Sequence, residues 1–447
     1  MNNKDDKQFK IMTEKPVEKL LVSLSIPTIL SMLVTTLYNI ADTAFVGMLG
    51  TSQSGATGVV SGFMAILQAI AFMCGQGAGS IMSRRLGAKD NDGANKYAST
   101  GLFMSFSLGL IIAVLSFVFM TPLLRILGST DTIAPYARTY LNYILISAPF
   151  FTSSFTMNNL LRYEGKAKLG TVALVSGAFL NVGGDALLIC VFKLGIMGAG
   201  ISTAVGQLIS FSILLSMYIR KKTIITISHS NISRKLSEIY EIAATGFPSL
   251  LRQGLNSVAT MMLNQKAGVY GDAAVSAMSI VSRLSFFPMA VAVGIGQGFQ
   301  PISAYNYGAG RKDRVREAFY KALIGSEIAL ILFSIPMFIW APDFVRILRD
   351  DNLVVEIGTR ALRLMCMAQT AIPLTMMVEM GFQSTGQKLL ASISSSLRSG
   401  LVFIPTLAVM SRVRELNGVQ EAQPLSFVIT FVICLYLMKI YFEKLKD

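Results

Sequence analysis

The sequence predicts an all-α membrane protein: twelve transmembrane helices in two six-helix lobes related by a pseudo-two-fold axis along the membrane normal. Three observations carry this: recurring apolar stretches, an alternating distribution of Lys and Arg between them, and an internal repeat. Of 447 residues, 53% are apolar and 14% charged, where soluble domains carry about 25% charged residues. Each stretch reaches the roughly 20 residues a helix needs to cross about 30 Å of hydrocarbon. Helices are the default, because lipid cannot satisfy an open sheet edge.

Hydropathy places the spans at about 20–46, 57–82, 97–121, 139–161, 168–192, 195–219, 242–265, 276–303, 318–340, 360–382, 388–410 and 424–442. The fourth, tenth and eleventh carry Arg or Glu. The resulting organisation is a cytoplasmic N-terminal segment 1–19, an N-lobe 20–219, a basic linker 220–241, a C-lobe 242–442 and a tail 443–447. Lys and Arg set the orientation. The loops on the side of the N-terminus hold 26 of the 39 basic residues, including Arg84, Arg85, Lys221, Lys222, Arg311 and Lys312. Both termini are therefore expected in the cytoplasm, with the chain multi-pass in the cell (inner) membrane. The same distribution accounts for the net charge of +14 without a nucleic-acid partner. Residues 1–19 lack an apolar core before a cleavage site, so the first span is expected to serve as an uncleaved signal.

The repeat has a fixed offset of 221 residues. Pro27 matches Pro248, Gly50 matches Gly271, Val60-Ser61 matches Val281-Ser282, and Gly75-Gln76-Gly77 matches Gly296-Gln297-Gly298. Positions 27–90 give 15 identities without a gap, about three times the chance expectation of a self-similarity test. The register persists at Arg125-Ile126-Leu127 against Arg346-Ile347-Leu348. Six spans per repeat leave both halves facing the same way, with a cleft between them. Two lobes around a cleft are what alternating access requires.

Enzyme chemistry finds no footing. The four cysteines (Cys74, Cys190, Cys366, Cys434) are scattered in apolar stretches, and the single histidine, His229, lies in a polar loop. No cofactor is expected, and no GxxxxGK[ST] loop supplies a nucleotide site. Gly75-Gln76-Gly77-Ala78-Gly79 lies inside a span, where close helix packing explains it better than phosphate binding.

Ionisable residues inside spans are costly and mark function by default. The N-terminal half holds Asp42 in the first span and Asp185 in the fifth, at matching depth. Asn181 lies one turn from Asp185 on the same helix face, and Thr203 enters the same level from the sixth span. Two carboxylates, an amide and a hydroxyl suit a proton or Na⁺, since oxygen ligands suit a hard cation. The bland alternative is that each aspartate only bonds a neighbouring helix. The repeat-equivalent positions are Leu263 and Thr406, so this site belongs to one half. Pro27, about four turns from Asp42, reads either as a hinge or as a tolerated kink. The second half carries Arg252, Arg283, Arg363, Arg398 and Glu379 in or near spans. At least one Arg–Glu pair is expected there. Glu379 and Arg283 are candidates for the substrate cleft, with a purely structural partnership of Glu379 as the alternative.

The stretch from Leu37 to Gly47, LYNIADTAFVG, resembles the first-helix signature of the multidrug and toxic compound extrusion (MATE) family. Asn181-Val182-Gly183-Gly184-Asp185 with Gly198-Ala199-Gly200 and Thr203 resembles its fifth and sixth helices. Gly294 to Gly310, GIGQGFQPISAYNYGAG, resembles its eighth helix and the loop that follows. The resemblance runs over about residues 16–440 and points to the prokaryotic branch. It implies an H⁺- or Na⁺-coupled antiporter of two six-helix lobes. Asp42, Asn181, Asp185 and Thr203 would form the N-lobe cation site, with Na⁺ held at Asp42, Asn181 and Asp185 if Na⁺ is the ion. Tyr38 would lie beside that site and Pro27 at the first-helix bend. Where other branches place an acid in the seventh helix, this chain has Gly246-Phe247-Pro248 and then Asn256, which departs from that pattern. The implied cargo is a small amphipathic organic cation, carried by a monomer in contact with membrane lipid. Two competing expectations remain: a flippase for a lipid-linked or anionic headgroup, kept open by Arg252, Arg283 and Arg398, and a membrane sensor or scaffold without transport.

Overall fold

The computed structural model describes residues 3–446, and among these no strand occurs. After a short helix α1 (Asn3–Glu14), the first half runs through α2 (Val17–Gly47), α3 (Thr51–Gly87), α4 (Asn91–Val118), α5 (Met120–Ile126), α6 (Ala134–Tyr163), α7 (Ala167–Asp185) and α8 (Gly195–Ile219). The second half follows with α9 (Leu236–Gly268), α10 (Asp272–Gly308), α11 (Lys312–Ile339), α12 (Ala341–Leu348), α13 (Asn352–Ala368), α14 (Ile372–Ser384), α15 (Lys388–Ser396), α16 (Phe403–Val413) and α17 (Glu415–Lys446).

Among the described residues, ten helical segments are long and apolar enough to cross a membrane, including α13–α14 and α15–α16 taken as continuous spans. The fourth and seventh predicted spans coincide with α6 and α9, which have the length but not the hydropathy. Polar residues such as Arg138, Asn142 and Asn159 on α6, and Arg252, Gln253 and Asn256 on α9, account for this. Buried helices in a membrane bundle can be polar where a neighbouring helix supplies the partners. The helix breaks have local causes. Gly50 (φ 122°) and Gly271 (φ 94°), repeat mates, take backbone angles that favour glycine just before α3 and α10. Asp90 caps α4 through the Gly93 amide at 2.9 Å, and Asp351 caps α13 through Leu353 and Val354 at 3.0 and 3.1 Å. Pro373 sits in the first turn of α14, after a 3₁₀ turn at Gln369–Ala371. Helices α1, α5 and α12 were not read from the sequence. The last two begin at Met120 and Ala341, repeat mates too short for a span search to find.

The chain packs as two compact units, and each mixes sequence from both halves. One holds the chain up to Met12 with Leu30–Gly246; the other holds Thr13–Ile29 with the chain from Phe247 onward. The first three turns of α2 thus pack in the second unit, and the start of α9 packs in the first. The crossing points lie next to Pro27 and Pro248, the prolines inside these helices.

The Gly-Gln-Gly motif explains how each unit receives the foreign helix start. In the first unit, a β-carbon on Gly77 of α3 would stand 2.2 Å from the Ile242 carbonyl oxygen and 3.0 Å from the Gly246 nitrogen. In the second, a β-carbon on Gly298 of α10 would stand 2.3 Å from Ser25 Oγ, and one on Gly294 2.3 Å from Ile29. Gly77 and Gly298 are repeat mates, and so are Ser25 and Gly246. The motif is therefore a seat for close backbone approach, as small residues provide between membrane helices. Replacing Gly77 by Val should cost about 1–3 kcal/mol through overpacking. Thermal melting of the detergent-solubilised protein would show it as a lowered midpoint. Gly58→Val, at a position with open space around it, should melt like the wild type. Equal melting of the two variants would contradict the tight seat.

Candidate functional site

One group of buried polar side chains in the first unit centres on Asp185. The residue ends α7, and the helix continues as a π-helical turn over Ala186–Val191, a distortion frequent at functional sites. Asp185 is fully buried, and Asn181 and Thr203 are each 4% exposed. The Asn181 amide donates to Thr203 Oγ1 at 3.1 Å. Ser202 Oγ donates to the Asn181 carbonyl at 2.6 Å, clamping α7 to α8. Tyr140 of α6, 3% exposed, lies with its hydroxyl 3.4 Å from Thr203 Oγ1. Gly184 allows this approach: a β-carbon there would stand 2.5 Å from Ser202 Oγ.

Asp42 reaches the same place from α2. Its carboxyl and that of Asp185 face each other, and Asp185 also approaches Ser202, yet these contacts fall short of hydrogen-bond geometry. Asp42 Oδ1, both carboxylate oxygens of Asp185 and Asn181 Oδ1 are buried without a hydrogen-bond partner. Four unsatisfied oxygens on three neighbouring side chains are costly in a dry bundle. Oxygens of this kind can accept a proton or ligate a hard cation. Tyr38 and Tyr140 both stand close enough to the two carboxyls to sense their charge. Among the described residues no group of three His, Cys, Asp or Glu is built for a metal ion.

Sequence reasoning named Asp42, Asn181, Asp185, Thr203 and Tyr38, and the fold brings all five to this one place. It missed Tyr140 and Ser202. Ser202 was legible as the neighbour of Thr203. Tyr140 was hidden on α6, where nothing in the sequence registers a tyrosine against the fifth and sixth spans.

Helix α2, which carries Asp42, contains a proline and several back-bonded hydroxyls. Pro27 lies inside it, removing one backbone donor. Thr28 Oγ1 donates to the Leu24 carbonyl at 2.8 Å, Thr35 to Ser31 at 2.7 Å, Thr36 to Met32 at 2.9 Å and Thr43 to Asn39 at 2.7 Å. Hydroxyl back-bonding of this kind weakens and bends helices. Ser31 Oγ donates to Thr171 Oγ1 at 3.0 Å, tying the upper part of α2 to α7.

The second unit has a different chemistry. At the repeat position of Asp42 stands Leu263, 3% exposed, and Thr406 spends its hydroxyl on the Val402 carbonyl at 2.7 Å. This unit holds a buried ion pair instead: Arg252 Nη1 donates to Glu379 Oε1 at 2.6 Å, with side chains 10% and 7% exposed. Arg398 stands near both, on the π-helical turn Leu397–Leu401, with Nη1 3.8 Å from Met289 Sδ. Glu379 therefore has an arginine partner, whereas Arg283 stands exposed on α10 outside this group. Removing one member of a buried pair costs about 3–5 kcal/mol, while replacing both with apolar residues is often neutral. Arg252→Ala should lower the melting midpoint sharply, and Arg252→Met with Glu379→Leu should recover most of the loss. Recovery absent from the double variant would indicate that the pair is needed beyond its own neutralisation.

Comparison with known proteins adds a second line of evidence. The family model MatE matches residues 27–187 and again 248–409, two copies that start at the 221-residue offset. Multidrug export protein MepA of Staphylococcus aureus (strain MRSA252) is 26% identical over 415 residues, covering 93% of this chain and 92% of that protein. Among solved structures, a MATE in the straight conformation superimposes with TM-score 0.92 at 23% identity, covering 98% of this chain and 99% of the other. A MATE in the bent conformation gives the same score and identity, covering 100% and 99%.

Proposed function

This chain belongs to the MatE family, and on that premise we propose that it is a secondary active antiporter that exports amphipathic organic cations in exchange for H⁺ or Na⁺. The observation that carries the reading is the buried group of unpartnered oxygens at Asp42, Asn181 and Asp185. Two carboxyls in a low-dielectric site resist double ionisation, so cation entry and release change the balance between α2 and α7. A cation entering from outside neutralises the pair and draws Asp42 toward Asp185. The segment of α2 beyond Pro27 moves with it, Tyr38 shifts by the same motion, and the cargo site is reshaped for release. The cation then leaves to the cytoplasm as the protein returns. The membrane potential offers roughly 2.3 kcal/mol per charge per 100 mV for this work.

Both termini lie in the cytoplasm on this reading, and the monomer is the working unit. The multidrug export named for the staphylococcal relative supports organic cations as cargo. Neighbours in straight and bent conformations support the conformational change. A second reading, a flippase for an anionic headgroup, draws on Arg398, which stands beside an Arg–Glu pair without a carboxylate of its own.

Efflux of a fluorescent organic cation from proteoliposomes under imposed H⁺ or Na⁺ gradients distinguishes them. The wild type should show gradient-driven flux. Asp42→Asn and Asp185→Asn should each reduce it at least about tenfold, the scale of a lost interaction of about 1.4 kcal/mol in the coupled step. Wild-type flux that ignores both gradients, or persists in both variants, would overturn the antiport reading. Lipid-linked substrates would then move forward.

A further inference from the structure

The second unit carries a charged cluster that the transport reading does not use. Arg360 Nη2 of α13 donates to Glu421 Oε1 at 2.8 Å, and Arg414 Nη1, just after α16, donates to Glu421 Oε2 at 2.6 Å. One carboxylate therefore serves two guanidinium groups, leaving one net positive charge. The arginine side chains remain 42% and 54% exposed, while Glu421 is 16% exposed. Each guanidinium has five N–H donors in a planar fork, and each makes one ion pair here. Donors on both guanidinium groups thus remain beyond those bound to Glu421.

A groove of about 420 Å³ runs from this cluster along the helices. On α13 it is lined by Leu364 and Met367, and on α17 by Leu425 and Val428, with Arg414 and Glu421 at its head. The spacing is informative. Arg360, Leu364 and Met367 are i, i+4 and i+7 on α13, and Glu421, Leu425 and Val428 are i, i+4 and i+7 on α17. Each helix therefore presents one face that is charged at its end and apolar for about 10 Å below, at 1.5 Å per residue. Met367, Leu425 and Val428 are 58%, 38% and 48% exposed. The feature is a cationic head over an apolar slot at the end of a spanning bundle.

We propose that this groove is a binding site for an anionic phospholipid of the surrounding bilayer, its phosphate held by Arg360 and Arg414 and an acyl chain lying along Leu364, Met367, Leu425 and Val428. Charge complementarity selects the anionic lipid over a zwitterionic one, because only the former neutralises the unmatched guanidinium. A planar guanidinium fork matches a phosphate in geometry and charge. The proposal stands apart from the antiport reading, since it lies in the other unit and predicts binding rather than flux.

The test is native mass spectrometry of the full chain released from detergent micelles containing equal dioleoyl phosphatidylglycerol and dioleoyl phosphatidylcholine. The wild type should retain phosphatidylglycerol over phosphatidylcholine by about fivefold, the factor expected of one net charge near a membrane surface. Arg360→Gln with Arg414→Gln should abolish that preference, and Arg360→Lys with Arg414→Lys should keep most of it. Glu421→Gln raises the cluster to two net positive charges and should strengthen retention by a similar factor. A network with only a structural role predicts the opposite for Glu421→Gln, unchanged or weakened retention. Equal retention of the two lipids by the wild type, or an undiminished preference in the double glutamine variant, would overturn the proposal.

Discussion

Everything in this molecule is arranged around the fact that hydrocarbon offers no partner to a polar group. Backbone donors are satisfied inside helices, and most intramembrane side chains find a partner on a neighbouring helix. The Asn181 amide meets Thr203, Arg252 meets Glu379, and threonine hydroxyls turn back onto their own helix. Against that rule, the carboxyls of Asp42 and Asp185 are left short of partners in the interior of one unit. Other buried side-chain atoms also lack a partner, but Asp42, Asn181 and Asp185 concentrate four such oxygens at one place. Tyr140, Ser202 and the π turn after Asp185 frame this group.

The exchanged helix starts give the site a mechanical setting. Helix α2 belongs to two packing units, divided just past Pro27. Its start is seated on Gly294 and Gly298, while its far end carries Asp42 and Tyr38. On the proposed mechanism the seat fixes one part, and a change of charge at Asp42 is taken up by the intervening segment, where proline and hydroxyl back-bonding weaken the helix. Helix α9 is divided in the same way beside Pro248, but the position equivalent to Asp42 is Leu263. The repeat thus duplicated the mechanical part, while the chemical part stands in one copy only.

Much of this was legible in the sequence, for identifiable reasons. Apolar length and basic loops are strong one-dimensional signals, so each span falls on an observed helical segment, with ends that differ by up to nine residues. The 221-residue offset marked the two halves, and intramembrane acids stand out in an apolar background. Other features were not legible because they depend on registration between distant segments. The assignment of Thr13–Ile29 to the second unit is one, since it rests on Gly298 meeting Ser25. Tyr140 joining Thr203 is another, as is the choice of Arg252, among four arginines, for Glu379. The short helices α5 and α12 escaped because a search tuned to spanning length passes over seven or eight residues.

The account turns on whether Asp42 and Asp185 act as one cation site. Its most direct test is cation uptake by the protein in lipid nanodiscs, with protons followed by pH-stat and Na⁺ by radiotracer. The two carboxyls should titrate as a pair, so the wild type is expected to take up about one cation per chain more than Asp42→Asn with Asp185→Asn, with either single variant shifting the midpoint. Identical uptake by the wild type and the double variant would contradict the account, since the buried oxygens would then hold neither proton nor Na⁺.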